Sequence, residues 1–203
     1  MTDRHRSSVP RHPSTVTGVV LAAGAGTRMG QPKLLLPVDG RPLVLWVVDL
    51  VNRLPHDRRV IVLGAQAETV RSALFPADGA HPGGRFGWTV LVNEGWREGM
   101  GSSLRCAAEE VDGGMLVFLG DMPWVPEEAA RAVLARAGGR PAAPAYRGVR
   151  GFPVYLPPSL RPEVRALAGD RGARDLLQDC DLIAWPDDRV IRDVDRVEDL
   201  LHA

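Results

Sequence analysis

The sequence predicts a single α/β domain: a three-layer α/β/α sandwich in which helices cover both faces of a mostly parallel sheet. Short apolar segments rich in β-branched residues alternate with helix-forming segments, as is typical of parallel βαβ units. A glycine-rich stretch directly follows the first apolar segment, at the position where open α/β sheets bind ligands. A chain of 203 residues with 45% hydrophobic content is long enough to bury one substantial core.

The regular part of the pattern spans residues 17–140. Apolar runs that end at glycine or turn residues predict strands at 17–23, 60–63, 88–92 and 115–119. Longer segments between and after these runs predict helices at 43–54, 67–74, 102–111 and 126–137. Ser102 or Ser103 is expected to cap the third of these helices.

The remaining residues are less regular. Residues 1–16 contain basic residues and prolines without an apolar run, so we expect a disordered tail rather than a signal peptide or membrane anchor. We expect 17–203 to form one domain with two halves, 17–140 and 141–203. The second half is predicted to contain a strand at 152–156 and helices at 159–167, 173–178 and 197–202.

The charge balance argues against a polyanionic partner. Lys plus Arg and Asp plus Glu both number 25, so no global charge attracts nucleic acid or an anionic membrane surface. Cys106 and Cys180 are far apart in sequence and match no metal-binding or redox spacing, which suits a reducing compartment. We therefore expect a cytoplasmic protein without nucleic-acid or membrane partners.

The glycine-rich stretch reads Gly24-Ala25-Gly26-Thr27-Arg28-Met29-Gly30. Glycines allow backbone N–H groups to approach phosphate oxygens, and Arg28 and Lys33 add cationic donors. The stretch is not a Walker loop, and its third glycine comes one residue too late for the dinucleotide-binding pattern G-x-G-x-x-G. The pattern favours a triphosphate site, while a plain tight turn between strand and helix is the alternative.

Asp121 follows the predicted strand 115–119, so its carboxylate is expected at the same sheet edge as the glycine-rich loop. Magnesium ions in nucleotide sites bind one or two protein carboxylates together with substrate oxygens. Asp121 is therefore a candidate metal ligand, and turn initiation before Met122-Pro123 is the alternative.

Several motifs resemble those of one enzyme family. Leu21 to Gly30 with Pro32-Lys33 is similar to the opening motif of the MobA/MocA-like nucleotidyltransferases of molybdenum cofactor biosynthesis. Further matching segments follow in the family's order, at Asn93 to Trp96, Gly99-Met100, Ser102 to Leu104, Gly120 to Pro123, Arg150 to Val154, Gly169 to Arg174, Asp193 to Asp195 and Glu198 to Leu200. The last three resemble the cytidylyltransferase branch in particular.

This resemblance implies a Rossmann-like sheet of the nucleotide-diphospho-sugar-transferase type and a magnesium-dependent reaction. CMP or GMP would be transferred from a nucleoside triphosphate to a phosphorylated acceptor of the molybdopterin type, with release of pyrophosphate. A molybdoenzyme that receives the product is a further implied partner. The half 17–140 would then bind the nucleotide, and the half 141–203 would face the acceptor.

The resemblance also assigns residues. It implies catalytic roles for Arg28, Lys33 and Asp121, and it makes Asp195 a second metal ligand beside Asp121, with a helix N-cap as the alternative role of Asp195. The implied nucleotide-binding residues are Leu21, Ala22, Ala23, Gly24, Gly26, Thr27, Arg28, Lys33, Gly101, Ser102 and Ser103. Trp96 and Trp124 are interpreted as wall or core residues outside the site.

Three positions bear on the substrates. Ala23 matches the cytidylyltransferase branch, whereas the guanylyltransferase branch usually has glycine there, so CTP is the preferred donor. Met122 stands where that branch often has glutamine, and Phe152 replaces a histidine, so both lose polar groups that could contact the acceptor.

Two other classes of protein remain possible. A dinucleotide-dependent oxidoreductase should carry an acidic residue at the end of the second strand, but the sequence there is Gly64-Ala65-Gln66. A nucleotide-binding chaperone that inserts cofactor into a molybdoenzyme would bind the nucleotide without releasing pyrophosphate.

Overall fold

The structure is a computed structural model that describes residues 15–26, 32–76, 87–167, 175–195 and 199. The strands are β1 Val16–Ala22, β2 Pro37–Val38, β3 Arg41–Pro42, β4 Arg58–Leu63, β5 Trp88–Val92, β6 Gly114–Leu119, β7 Ala142–Tyr146, β8 Val149–Arg150, β9 Val154–Leu156 and β10 Asp181–Ala184. The α-helices are α1 Leu43–Arg53, α2 Ala67–Leu74, α3 Met100–Glu110, α4 Glu127–Leu134 and α5 Arg161–Arg165. Short 3-10 helices lie at Lys33–Leu35, Trp96–Glu98, Pro158–Leu160 and Asp188–Val190.

The main sheet has the strand order β10-β7-β9-β6-β1-β4-β5, and β8 pairs with β7. The strands β6, β1, β4 and β5 are parallel, β9 is antiparallel to both β6 and β7, and β10 is parallel to β7. The short strands β2 and β3 form a separate antiparallel pair. The predicted α/β class with a mostly parallel sheet is therefore confirmed.

Apolar side chains cover both faces of the sheet. Because neighbouring strand residues point to opposite faces, Val20 packs in one core cluster with α1, whereas Val19 and Leu21 pack in a second cluster with α3. Residues on both faces of β1 are almost completely buried. This arrangement explains the continuous apolar run of the β1 sequence, which is typical of strands covered on both sides.

The structure corrects two predicted boundaries in the first half. Val16 belongs to β1 rather than to a tail, because it is buried and pairs with Gly114. Helix α3 begins at Met100, with Gly99 as its N-cap, so the predicted capping by Ser102 or Ser103 is wrong. Both serines are buried inside the first turns of α3.

The second half departs further from the prediction. The strand predicted at 152–156 begins only at Val154, since Pro153 has no N–H group and the Phe152 N–H donates to Val190 O. The helix predicted at 159–167 is a 3-10 turn followed by α5, which ends at Arg165. The first fourteen residues of the predicted tail, most of the predicted helix 197–202 and the start of the helix 173–178 lie outside the described residues.

Within the part of the chain that the structure describes, we find no helix with the length and apolar character needed to cross a bilayer.

Candidate active site

The candidate site lies where the strand order of the sheet reverses. From β1 the chain moves outward to β4 and β5, and then returns to β6 on the other side of β1. At such a point the carboxyl ends of the two central strands open a crevice that binds ligands in α/β sheets. Gly24 follows β1 and Asp121 follows β6, and the Gly120 N–H donates to Leu21 O at 2.8 Å, which holds the two ends together.

A cavity of about 490 Å³ occupies this crevice. Its lining residues are Leu21, Ala22, Ala23, Gly24, Gly26, Lys33, Leu34, Trp96, Gly99, Met100, Ser103, Leu119, Asp121 and Asp195. The structure therefore brings together most of the residues that the sequence nominated, from both halves of the chain. Thr27 and Arg28 lie outside the described residues.

Lys33 is the centre of this cavity's charge. Its Nζ donates to Asp121 Oδ2 at 2.8 Å and to Asp195 Oδ1 at 3.4 Å, and its side chain is only 15% exposed. Burial lowers the pKa of Lys33, but the charge of Asp121 and the hydrogen bonds to Asp121 and Asp195 outweigh burial and raise it above its ordinary value. The ammonium group is therefore charged at neutral pH.

Lys33 is also the only lysine in the sequence. All other residues counted as Lys or Arg are arginines. An ammonium group is a compact point charge with three rotatable donors, whereas a guanidinium is a larger planar fork. The compact group can stand between two carboxylates and contact phosphate oxygens from the same position. This difference gives a physical reason for lysine at position 33 in a chain whose other strongly basic residues are arginines.

Gly26 brings the glycine-rich loop against Lys33. Its φ angle is +50°, and a Cβ atom at Gly26 would lie 2.5 Å from Lys33 Cβ. Glycine therefore satisfies both the left-handed backbone and the close approach. The sequence predicted a backbone cradle for phosphate here, and the structure adds direct packing of that cradle on the lysine.

The second half supplies Asp195. The Val194 N–H donates to Asp121 O at 3.0 Å, and this bond ties the segment that carries Asp195 to the end of β6. In the same segment, partial burial and repulsion from Asp195 and Asp121 raise the pKa of Asp193. Among the described residues that line the cavity, the carboxylates of Asp121 and Asp195 face the Lys33 ammonium.

The carboxylates fit a divalent cation in chemistry and in placement. Asp121 and Asp195 already converge on one cation, the Lys33 ammonium, and carboxylate oxygens are the ligands that magnesium and manganese prefer. Among the described residues, no group of three or more Asp, Glu, His or Cys side chains lies close enough together to hold a metal ion. The described part of the chain thus offers two carboxylates at this point, and one or two are typical of a magnesium ion that also binds substrate phosphates.

A buried polar network supports the opposite wall. The Asn93 amide donates to Ser102 Oγ at 2.8 Å and to Ser103 Oγ at 3.0 Å, and the Ser102 hydroxyl lies 2.7 Å from the Gly99 carbonyl as a donor. Ser103 lines the cavity, whereas Gly101 and Ser102 lie behind this wall and are not among the cavity-lining residues. Ser102 therefore stabilises the turn before α3.

The two tryptophans considered in the sequence occupy different environments. Trp96 lines the cavity, and the Arg97 guanidinium lies 4.2 Å from its ring centroid. Trp124 packs against the core under the guanidinium of Arg192 and does not line the cavity. Sequence reasoning left Trp96 out of the site, although the glycines at 95 and 99 on either side of its short helix were a signal of a constrained loop.

A second cavity of about 280 Å³ adjoins the first at Leu21 and Met100. It is mostly apolar and is also lined by Phe152, with the side chain of Arg150 as its cation. Met122 lines neither cavity, because it is buried in the core. Of the two positions that depart from the cytidylyltransferase pattern, only Phe152 lies at a surface that a ligand can reach.

A parallel sheet whose switch point carries a glycine loop, a charged lysine and two converging carboxylates defines a nucleotidyltransferase of the Rossmann-like class. The sequence profile of the MobA-like NTP transferase domain matches residues 18–185, and the chain belongs to this family.

Relatives of known name and structure share most of the chain's length. The chain is 36% identical to the nicotine blue oxidoreductase of Paenarthrobacter nicotinovorans, over 91% of this chain and 94% of that protein. It is 29% identical to the purine catabolism protein PucB of Bacillus subtilis, over 79% and 80% of the two chains. Among solved structures, Rv0371c of Mycobacterium tuberculosis H37Rv superposes with a TM-score of 0.79 at 28% identity, covering 94% and 98%. Its complex with manganese superposes with a TM-score of 0.71 at 26% identity, covering 93% and 97%.

Proposed function

We propose that this nucleotidyltransferase transfers CMP from CTP to a phosphorylated acceptor of the molybdopterin type, in the cytoplasm and with magnesium. The observation that carries the proposal is the placement of Lys33 Nζ between Asp121 and Asp195, at the mouth of a glycine loop. A triphosphate needs cationic donors, backbone N–H groups and carboxylates for its metal ion, and a lysine, two loop glycines and two carboxylates line this cavity.

The residues of the chain bind and orient the reactants. The loop at Gly24 and Gly26 would hold phosphate oxygens through its N–H groups, and Lys33 would contact the same phosphates, together with Arg28. A magnesium ion held by Asp121 and Asp195 would neutralise charge on the phosphates when pyrophosphate leaves. The manganese complex of Rv0371c supports the use of a divalent cation.

No side-chain nucleophile is required. An oxygen of the acceptor's phosphate would attack the α-phosphorus of the nucleotide in line, and the bond between that phosphorus and the bridging oxygen to the β-phosphate would break. The electron pair of that bond leaves with pyrophosphate. Lys33 then stabilises the charge that develops on the departing group.

The acceptor is proposed to enter from the side of the second cavity. That cavity adjoins the nucleotide cavity at Leu21 and Met100, and Arg150 offers a cation to an anionic or carbonyl group. Phe152 supplies a flat apolar surface in this cavity. These features support a ring-bearing phosphorylated acceptor.

An oxidoreductase is the second candidate, because the relative that is 36% identical bears that name. A dinucleotide-binding site should place an acidic residue at the end of β4 for the ribose hydroxyls. The chain has Gly64 there, and the carboxylates of the cavity are engaged by Lys33 instead. These observations favour nucleotidyl transfer.

The test is an assay of pyrophosphate release with magnesium, reduced molybdopterin and CTP, GTP or ATP offered separately, beside an assay of NADH and NADPH oxidation. We expect release with CTP, and about 100-fold less release by Lys33→Ala, since a donor to the developing charge is lost. Lys33→Arg should restore little, because a guanidinium is larger and presents its donors in a planar fork rather than around one point.

Release with GTP alone would contradict the CTP assignment. Nicotinamide oxidation without pyrophosphate release would overturn the proposed function in favour of the oxidoreductase. Nucleotide binding with neither reaction would indicate a chaperone that holds the nucleotide without turnover.

A further inference from the structure

Trp96 occupies the part of the nucleotide cavity that the proposed mechanism leaves without a role. Lys33 contacts Asp121 at the end of the central strand β6, whereas Trp96 follows β5, two strands away from β1. Neighbouring strands are about 4.8 Å apart, so β5 lies about 10 Å from β1. A nucleotide whose phosphates contact Lys33 can therefore extend its base towards Trp96.

Gly64 places Trp96 beside the position associated with the choice of base. A Cβ atom at Gly64 would lie 2.8 Å from Trp96 Cβ and 2.7 Å from Ala23 Cβ. The absence of a side chain at Gly64 therefore lets Trp96 and Ala23 approach each other. Both residues line the same cavity, so they form one continuous wall.

The loop that carries Trp96 is held from both ends. Before Trp96, the Asn93 N–H donates to Leu63 O at 2.7 Å, and after it the Ser102 hydroxyl donates to the Gly99 carbonyl at 2.7 Å. The buried amide of Asn93 also holds Ser102 and Ser103 at the start of α3. The Arg97 guanidinium over the indole restricts the ring by a cation–π contact. A preorganised aromatic ring loses little conformational entropy when a ligand packs against it.

We propose that Trp96 is the surface against which the base of the donor nucleotide stacks. This inference rests on the proposed function and adds a base-binding residue to it. Every base has a flat π-face that an indole can accept, so the ring supplies affinity.

The experiment compares two tryptophans that share a cation–π contact but differ in whether they line the nucleotide cavity. Trp96 and Trp124 each lie under a guanidinium, at 4.2 and 4.1 Å from the ring centroid, but only Trp96 lines the nucleotide cavity. Trp96→Leu and Trp124→Leu both remove a flat ring and keep an apolar side chain. Dissociation constants are measured by calorimetry for CTP and inorganic tripolyphosphate, both with magnesium, and melting temperatures verify that each variant is folded.

Trp96→Leu should weaken CTP binding about tenfold or more, as expected for the loss of one base–aromatic stack. Tripolyphosphate has no base, so its dissociation constant should not change in Trp96→Leu. Trp124→Leu should change the dissociation constant of neither ligand. Trp96→Phe keeps a flat ring and should restore most of the CTP affinity. This pattern would distinguish stacking from a general effect on the loop.

Equal weakening of CTP and tripolyphosphate by Trp96→Leu would overturn the inference, because Trp96 would then act through the phosphate loop. Unchanged CTP binding would overturn it as well. Lys33→Ala separates the two proposals in that case. If this variant binds CTP and tripolyphosphate more weakly than the unsubstituted protein, the nucleotide site is supported and only the role of Trp96 is wrong. If Lys33→Ala also binds CTP normally, the proposed function fails.

Discussion

The two carboxylates that contact Lys33 come from the two halves of the chain, and they are positioned by different means. Asp121 directly follows β6 in the first half, so the sheet itself holds it at the crevice, with its side chain 27% exposed. Asp195 lies in an irregular segment of the second half, with its side chain 65% exposed. The comparison indicates that the sheet of the first half fixes the position of Asp121 directly. Asp195 reaches the site only because the second half packs against the end of β6.

The largest effect is expected for the carboxylate that the sheet holds. Asp121→Ala should reduce pyrophosphate release about 1000-fold, because the carboxylate that contacts Lys33, and that is proposed to hold the metal ion, is lost. Steady-state release at saturating CTP and magnesium measures this effect. Asp112→Ala, at a surface position in the same half, serves as the control and should retain activity. Unchanged release by folded Asp121→Ala would remove the metal assignment.

The next effect concerns the contact between the glycine loop and Lys33. Gly26→Ala should lower kcat/KM by up to about 100-fold, because a Cβ atom displaces the lysine by a fraction of an ångström or more. Gly40→Ala is a matched control: Gly40 also has a positive φ angle, of +76°, but a Cβ atom there would meet open space. Equal losses in both variants would mean that backbone strain, rather than displacement of Lys33, is responsible.

A smaller effect is expected for the carboxylate of the second half. Asp195→Ala should raise the magnesium concentration needed for half-maximal release by about fivefold, because attraction by an exposed carboxylate is weak in water. A magnesium titration of initial rates measures it. Asp181→Ala, which loses a surface carboxylate of the same half, should leave the titration unchanged. A loss as large as that of Asp121→Ala would contradict the ranking of the two halves.

The smallest effect concerns His56, which lies at the edge of the sheet opposite to the cavity, and it is an effect on the free energy of unfolding rather than on activity. Burial, followed by the charge of Arg59, lowers the pKa of His56 to about 4, and among the described residues its Nδ1 has no hydrogen-bond partner. The unfolded chain then binds the extra proton between about pH 6.5 and pH 4, so stability falls as the pH falls through this range. After an allowance for the partial exposure of His56, the loss is about 1–2 kcal/mol.

Urea unfolding at several pH values measures this loss. His56→Gln carries no titrating ring, so its stability should depend less on pH in the same range. Nucleotide affinity should be unaffected by the substitution, because His56 precedes β4 and lies at the edge of the sheet opposite to the cavity. If the free energy of unfolding of His56→Gln depended on pH as steeply as that of the unsubstituted protein, His56 would not be the titrating group.

The sequence was more informative about the first half because its signals are local. The predicted helix 67–74 and strand 88–92 have the observed bounds, and β1, β4, β6 and α1 differ from prediction by a few residues at most. Apolar runs and glycine turns are properties of neighbouring residues, so they can be identified without knowledge of the fold. The glycine loop, Lys33 and Asp121 were identified for the same reason.

The second half lacks such signals. Strand β7 contains three alanines and a proline, and β10 alternates partly buried and exposed residues over only four positions, so neither resembled a strand in sequence. Their existence depends on pairing with each other and with β9. The burial of Met122 and the position of Trp96 in the cavity also depend on residues that are distant in the chain.

The sequence by itself determined the α/β class, the central strands and the chemical types of the site residues, because periodicity, turn chemistry and charge are local. Only the tertiary structure decided which of these residues meet. Lys33 contacts Asp121 across 88 positions and Asp195 across 162, and both contacts depend on the sheet order and on the bond from Val194 to Asp121. Such distances in sequence are closed by packing of the whole core, which no single segment encodes.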